Sequence, residues 1–254
     1  MGLLTLALSG LRNLEDDEDI ILSIPGPWPD FSTFGSALQE SSNDRFFAEG
    51  GLILDSHTRE SAKLQFRISS PELAEGFSSP LLDQASADAI AAHRSIAHLL
   101  INYRGHETFE YLLHFTRAVH EAGGIAVRIE TAGVTHSWVV WQNLVSSDYY
   151  ADNLKALVIH VYEDNQLSSF GMAQLHHPDA ENIGAADHID VSELLERFNL
   201  YQWLEKPVLL DGQTFSLEAG APRFRLEFLP DERYPADDVY FNKYGVWRLT
   251  YLDG

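Results

Sequence analysis

The sequence predicts an α+β fold in which a mixed β-sheet packs against helices, with at least one β-α-β unit, in one domain over residues 1–254. Hydrophobic residues make up 45% of the chain and charged residues 22%, close to the averages of globular proteins. Short apolar runs alternate with amphipathic stretches along the whole chain, which is typical of mixed strands and helices. The sequence contains neither a repeat nor a low-complexity linker. A boundary between two lobes would fall near 145–155.

The region before residue 70 is predicted to contain strands at 3–8, 20–24, 52–54 and 64–68 and a helix over 31–39. The apolar run 20–24 predicts a buried strand, and Pro25-Gly26-Pro27 ends it because proline cannot donate to a ladder. Asp30 is a suitable N-cap for the helix that follows. Apolar and polar residues alternate over 64–68, which indicates a half-exposed strand.

A β-α-β unit is predicted at the centre of the chain. The predicted elements are helices over 83–93 and 106–122 and strands at 96–103 and 125–129. Phe109, Leu112 and Val119 share one face of the longer helix, and Gly123-Gly124 ends it. Because two strands joined through a helix usually run in the same direction, part of the sheet is expected to be parallel.

The second half is predicted to contain helices over 135–144 and 191–204 and strands at 157–162, 167–175, 224–229 and 246–252. Asp164-Asn165 resembles a two-residue hairpin turn between two of these strands. The segment 176–190, rich in His and Asp, is predicted to be a polar loop.

The charge of the chain is its most informative bulk property. Thirty-eight acidic and 17 basic residues give a net charge of −21, which repels nucleic acid and favours basic partners. The absence of cysteine excludes thiol catalysis and disulfide scaffolds. No basic residue precedes the apolar run 3–8, and no stretch approaches the roughly 18 apolar residues of a membrane span. A cytoplasmic protein that contacts neither membrane nor nucleic acid is expected.

Common catalytic motifs are missing from the sequence. There is no nucleophile elbow, phosphate-binding loop, dinucleotide fingerprint or His-Glu-x-x-His motif, so no cofactor is expected. Glu110 and His114 lie four residues apart on one predicted helix face and could support acid–base chemistry. A solvated helix face explains the same spacing. The sequence therefore favours a protein that is not an enzyme.

Two acidic runs are the candidate partner-binding residues. They comprise Glu15, Asp16, Asp17, Glu18 and Asp19 in the first run and Asp231, Glu232, Asp237 and Asp238 in the second. Such runs are expected to stay exposed, because burying unpaired charges is costly. They either dock on a basic cleft, mimicking the phosphates for which it is built, or only solvate the surface.

A third cluster offers a metal-binding alternative. It comprises His176, His177, Asp179, Glu181, Asp187, His188 and Asp190. Imidazole and carboxylate groups are ligands for zinc, manganese and non-haem iron. His176, His177, Asp179 and His188 would be the ligands of a metal-dependent hydrolase. The spacing matches no known metal motif, and an exposed acidic loop with scattered histidines is the ordinary interpretation.

The aromatic residues have two interpretations. Trp28, Trp138, Trp141 and Trp247 are either core residues or interface anchors. The pair Tyr240-Phe241 borders polar residues and is expected to be partly exposed.

Three parts of the sequence resemble one known family. They are Ile24-Pro25-Gly26-Pro27-Trp28, the β-α-β centre, and Tyr244-Gly245-Val246-Trp247-Arg248-Leu249. Together they resemble the immunity protein 52 group of bacterial polymorphic-toxin systems. The resemblance implies an α+β immunity protein that accompanies nuclease toxins, including type VI secretion effectors. It carries no catalytic residues with it.

The leading hypothesis is thus a cytoplasmic antitoxin that neutralises a cognate nuclease effector by stoichiometric binding. A metal-dependent hydrolase and an acidic adaptor protein are the alternatives.

Overall fold

The computed structural model describes residues 19–69, 73, 76–79, 82–183 and 189–252. The chain divides into two compact units, 1–148 and 149–254. Each unit has one β-sheet and its own helices, which confirms the α+β class. The strand predicted at 3–8 and the acids Glu15, Asp16, Asp17 and Glu18 lie outside the described residues. Among the described residues, no helix has the length and apolar character needed to cross a membrane.

The first unit contains seven strands and four helices in its described part. In chain order they are β1 (Asp19–Gly26), α1 (Phe31–Ser41), β2 (Phe46–Glu49), β3 (Leu52–Asp55), β4 (Ser61–Ile68), α2 (Gln84–Ala91), β5 (Ser95–Asn102), α3 (Glu107–Glu121), β6 (Ala126–Ile129), β7 (Val134–Ser137) and α4 (Trp138–Val145).

The first sheet has the strand order β2-β3-β4-β5-β1-β6-β7, with antiparallel pairing throughout. Strands β5 and β6, joined by α3, run in the same direction, as the β-α-β prediction requires. However, β1 lies between them and pairs with both. The parallel contact expected at this point is therefore replaced by two antiparallel ones.

The core of the first unit lies around β1, β5 and α3. Trp28 is buried and its Nε1 donates to the Ala122 carbonyl at 2.7 Å, so it joins the end of β1 to the end of α3. Gly124 lies just after α3, where the backbone passes close to the helix. A Cβ atom at this position would lie 2.9 Å from the Val119 carbonyl oxygen. Trp141 is also buried and donates to Thr116 Oγ1 at 2.9 Å. Both tryptophans are core residues.

The helix predicted over 135–144 is partly wrong. Thr135 and His136 belong to β7 and pair with β6, and α4 begins only at Trp138. Ser137 marks the change, because its side chain caps the helix by accepting from the Val140 N–H.

The second unit contains two helices and six strands in its described part. They are α5 (Tyr150–Leu157), β8 (Ile159–Glu163), β9 (Gln166–Phe170), β10 (Asp179–Ile183), α6 (Val191–Glu205), β11 (Thr214–Phe215), β12 (Arg223–Leu229) and β13 (Val246–Leu252). The strand order is β11-β12-β13-β10-β9-β8, in which β10 and β13 are parallel. The predicted parallel pairing thus exists between β10 and β13, and not between β5 and β6 as the sequence predicts.

Two predictions for this unit are corrected. The strand predicted at 167–175 ends at Phe170, because Gly171 adopts a positive φ of 113° and a 3₁₀ turn follows over Met172–Leu175. The polar loop predicted over 176–190 contains β10, which pairs with β9 on one side and β13 on the other.

Helix α6 covers one face of the second sheet. Its Leu194, Leu195 and Phe198 are fully buried against Leu226 and Leu249 of the sheet. Side chains alternate along a strand, so the strand residues next to Leu226 and Leu249 in sequence point to the opposite face of the sheet. That opposite face, called the open face below, includes charged side chains.

Candidate partner-binding site

The second acidic run lies in the segment 230–245, which joins β12 to β13 and is called the acidic loop below. Glu232 and Asp237 are exposed on it, as predicted. Asp238 is half-buried and accepts from the Tyr240 N–H at 2.9 Å, so it stabilises the loop itself. Asp231 is buried, and the prediction that it is exposed is wrong.

Arg233 explains why Asp231 can be buried. Its guanidinium donates to Asp231 Oδ1 at 2.8 Å through Nε and to Asp179 Oδ2 at 2.7 Å through Nη2. Nη1 donates to the Ser169 carbonyl at 3.2 Å, and the guanidinium lies 4.5 Å from the centre of the Phe170 ring. One cation therefore bonds to two buried acids and fastens the loop to β9 and β10.

The electrostatics of this cluster differ between its two acids. At Asp179 burial outweighs the effect of Arg233 and of the neighbouring hydrogen bonds, so the pKa of this carboxyl is raised. Burial by itself raises the pKa of Asp231, but the hydrogen bonds from Arg233 and from the Asn242 N–H outweigh it, and the pKa lies below its usual value. Burial opposes the charge of Arg233, yet Asp231 and Asp179 more than compensate, and its pKa is raised. Arg233 therefore stays protonated at any pH at which the protein is folded.

The acidic loop also presents an aromatic patch. The Tyr234 and Tyr240 rings lie 5.3 Å apart, and the Tyr234 ring lies 6.0 Å from that of Phe170. Burial raises the pKa of Tyr234, and the nearby Asp238 and Glu163 raise it further against the opposing effect of Arg233. Half-buried tyrosines flanked by carboxylates resemble the centre and rim of a protein interface.

A polar row crosses the open face beside this patch. Glu181 on β10 is buried and accepts from Gln166 Nε2 at 2.6 Å and from Arg248 Nε at 2.7 Å. Arg248 also lies 3.9 Å from Glu227 on β12. Because Arg248 bonds to Glu181 and lies near Glu227, the row links β10, β13 and β12 and strengthens the sheet.

The residues of the metal alternative are placed differently from a metal centre. Asp179 binds Arg233, and Glu181 binds Arg248. His177 is partly buried, and burial, with help from Lys206 and His176, lowers its pKa to about 4. His188 and Asp187 lie outside the described residues, and Asp190 caps α6. Within the described parts of the chain, no three histidines or acids come together as a metal site would require.

The first acidic run contributes little that the structure describes. Asp19 is the first residue of β1, and its neighbours Glu15 to Glu18 precede the described residues.

The first unit contains a second polar site that sequence analysis missed. Asp55 is fully buried at its centre and receives Arg45 Nη2 at 2.7 Å and His114 Nε2 at 2.8 Å. Burial raises the pKa of Asp55, but Arg45, the backbone N–H groups of His57 and Thr58, and His114 lower it well below its usual range. The carboxylate is therefore a fixed anion that orients the arginine and the imidazole.

A groove of about 390 Å³ opens beside these groups. It is lined by Arg45, Thr58, Glu60, Arg104, Glu107, Glu110, Tyr111 and His114. Glu110 and His114 do share this groove, as their helical spacing predicted. Arg45 and Asp55 gave no sequence signal, because the Asp55–His114 contact joins residues 59 positions apart.

Comparisons with known proteins identify no relative. No family model, no curated protein and no solved structure matches the chain. The resemblance to the immunity protein 52 group therefore stays a prediction based on the segments quoted above.

Proposed function

We propose that this protein is an immunity protein, which neutralises a cognate nuclease effector of a bacterial toxin or type VI secretion system in the cytoplasm. It acts by stoichiometric binding and not by catalysis. The observation that supports this most directly is the acidic loop. Arg233 fastens it to the sheet, so that Glu232 and Asp237 are presented beside the tyrosine patch with little entropy left to lose on binding.

The charge distribution supports a basic partner. Residues 1–148 contain 20 acids and 9 bases, and residues 149–254 contain 18 acids and 8 bases, so both units are negative. A nuclease binds its substrate through a basic groove. Opposite charges raise the association rate of two proteins, and this matters for an inhibitor that must capture a toxin before it cuts.

The aromatic patch supplies the desolvated centre that charged residues alone do not provide. Tight complexes have a desolvated centre, in which tyrosine, tryptophan and arginine are frequent, surrounded by a polar rim. Tyr234 and Tyr240 are half-buried, with their rings tilted against one another, and the Tyr234 ring meets that of Phe170 edge to face. These contacts order the two tyrosines before any partner arrives.

Calorimetric titration tests the proposal. The titrant is the catalytically disabled product of the neighbouring reading frame, and a near-equimolar nanomolar complex is expected. Substitution of Glu232→Gln with Asp237→Asn should slow association and weaken its salt dependence. The control carries Glu40→Gln with Glu218→Gln, which removes the same charge from two exposed positions outside the loop.

Two results would contradict the proposal. One is the absence of any complex with the neighbouring product. The other is protection of a nuclease substrate by amounts of this protein far below those of the toxin, since that would indicate catalysis.

A further inference from the structure

Among the residues that the structure describes, strand β8 forms one edge of the second sheet, and it is followed by a tight turn. It pairs with β9, and Asp164 and Asn165 make the two-residue connection with φ values of 49° and 62°. Positive φ at both positions defines the turn type that matches the twist of a hairpin. The register of β8 against β9 is therefore well determined.

This register decides which backbone groups of β8 face outward. The residues that flank a two-residue hairpin turn, Glu163 and Gln166, exchange hydrogen bonds, and bonded and non-bonded pairs then alternate along the strand. Val161 opposes Ser168 in a bonded pair, so its N–H and C=O point to β9. The N–H and C=O groups of His160 and Tyr162 point away from β9, to the outer side of the sheet edge.

The outer half of β8 is accessible. Val161, Tyr162 and Glu163 are all exposed, and Tyr162 shows 68% of its surface. Protected edge strands usually contain a proline, a bulge or several charges. The sequence of β8, Ile-His-Val-Tyr-Glu, has one charge at its end and no proline. Its edge is therefore suited to accept another strand.

The edge belongs to the same surface as the acidic loop. Ile159 pairs with Phe170, and the Phe170 ring lies 6.0 Å from that of Tyr234. Glu163 and Asp164 lie at the other end of the strand. A chain that paired with β8 would thus run past Glu163 and Asp164 and close to the tyrosines of the acidic loop.

We propose that the β8 edge binds an extended, basic segment of the protein partner as an additional antiparallel or parallel strand. The identity of the partner rests on the proposed function, whereas the binding mode rests on the edge itself. Backbone hydrogen bonds to His160 and Tyr162 supply affinity, and lysine or arginine side chains of the segment face Glu163, Asp164 and the acidic loop. A second copy of this chain is less suitable, because it would bring a net charge of −21 to the same edge.

A synthetic peptide tests the binding mode without the natural partner. The probe is a ten-residue peptide that alternates lysine and threonine, with a glutamine–threonine peptide as the uncharged control. Backbone amide signals of ¹⁵N-labelled protein are followed by NMR. The amides of His160 and Tyr162 should shift and become protected from exchange, whereas that of Val161, already bonded to β9, should change less.

Two variants separate the backbone from the side chain at the same position. Tyr162→Pro removes the outward N–H without removing a β8–β9 bond, and Tyr162→Ala retains it. Both lose the bond from the Tyr162 hydroxyl to Asn165 Oδ1. The proline variant should bind the lysine–threonine peptide at least about 10-fold more weakly than the alanine variant, a difference of roughly 1.4 kcal/mol. Unchanged amide spectra elsewhere and equal melting temperatures would show that both variants are folded.

The outcomes distinguish this inference from the proposed function. Equal binding by the two variants, or peptide-induced shifts that avoid β8, would overturn the inference even if the neighbouring gene product binds tightly. Peptide binding that is lost only in the proline variant would support it even if that product does not bind. Dimerisation through β8, detected by sedimentation, would also overturn it.

Discussion

Replacing Arg233 by methionine tests the role of the cation at the base of the acidic loop. Its guanidinium donates two hydrogen bonds to Asp231 Oδ1 and Oδ2, one to Asp179 and one to the Ser169 carbonyl. Bonds to charged groups contribute about 1.5–3 kcal/mol each, but desolvation of a cation that is largely buried offsets much of this. Removing one partner from a buried ion pair typically costs about 3–5 kcal/mol. We expect Arg233→Met to lower the free energy of unfolding by that amount.

Urea denaturation followed by circular dichroism measures the loss. The matched control is Arg225→Met, which removes an exposed cation from β12 and should change stability by less than about 0.5 kcal/mol. Adding Asp179→Asn to Arg233→Met should recover part of the loss. Burial already raises the pKa of Asp179, and a neutral amide does not need the cation that the first substitution removes. Amide exchange gives a local readout: the Asn242 N–H, bonded to Asp231 Oδ2 at 2.8 Å, should exchange faster.

The reasoning is refuted if Arg233→Met costs less than about 1 kcal/mol, or if Asp179→Asn makes the variant worse. Either result would mean that the two carboxylates do not need the cation. A large loss that left the Asn242 amide fully protected would show that Arg233 stabilises the sheet but not the loop.

Three further predictions concern the first unit. Burial lowers the pKa of His98 to about 3, below the unfolded value of about 6.5. The free energy of unfolding should therefore fall by about 1.4 kcal/mol per pH unit as the pH decreases between those limits. His98→Gln should lack this component in urea titrations from pH 7 to pH 4. Gly124→Ala should lower the free energy of unfolding by roughly 1–3 kcal/mol, because its Cβ would meet the Val119 carbonyl. Gly35→Ala has open space around it and should not destabilise α1. Equal melting temperatures of the two variants would contradict the argument from close approach. Asp55→Asn should lower the free energy of unfolding by about 2–4 kcal/mol at pH 7. Since the pKa of Asp55 is depressed in the folded state, its ionised carboxylate stabilises the protein above the unfolded pKa of about 3.9, and this stabilisation is lost as the pH falls below that value. A stability difference between the wild type and Asp55→Asn that does not change with acidification would refute the prediction.

Local signals predicted much of the fold. Asp30 caps α1 by accepting from the Thr33 N–H at 2.8 Å, and Asp164-Asn165 forms the expected turn. Apolar periodicity located α3 and α6 to within one or two residues. These features depend on neighbours a few positions apart, which a sequence displays directly.

The features that were missed depend on distant partners. The sequence predicts a loop where β10 lies, because Asp179 and Glu181 are residue types typical of the surface. Each is buried only because an arginine 54 or 67 positions away bonds to it. The Asp55–His114 contact spans 59 positions and hides the Asp55 site in the same way. Asp231 differs, because its arginine is only two residues away, although that arginine also binds Asp179 on the distant β10. The sequence shows which segments are acidic, but only the fold shows which of those acids are exposed.

The central position of β1 has a consequence for the order in which the chain can fold. β1 leaves the ribosome before its neighbours β5 and β6 are synthesised, and the contact between Ser23 and His98 spans 75 positions. During translation the apolar strand therefore waits without its partners, in the state in which strands aggregate most readily. Charged residues flanking such a segment act as gatekeepers against aggregation. The run from Glu15 to Asp19 directly precedes Ile20, so it can protect the nascent chain from aggregation without contacting a partner protein.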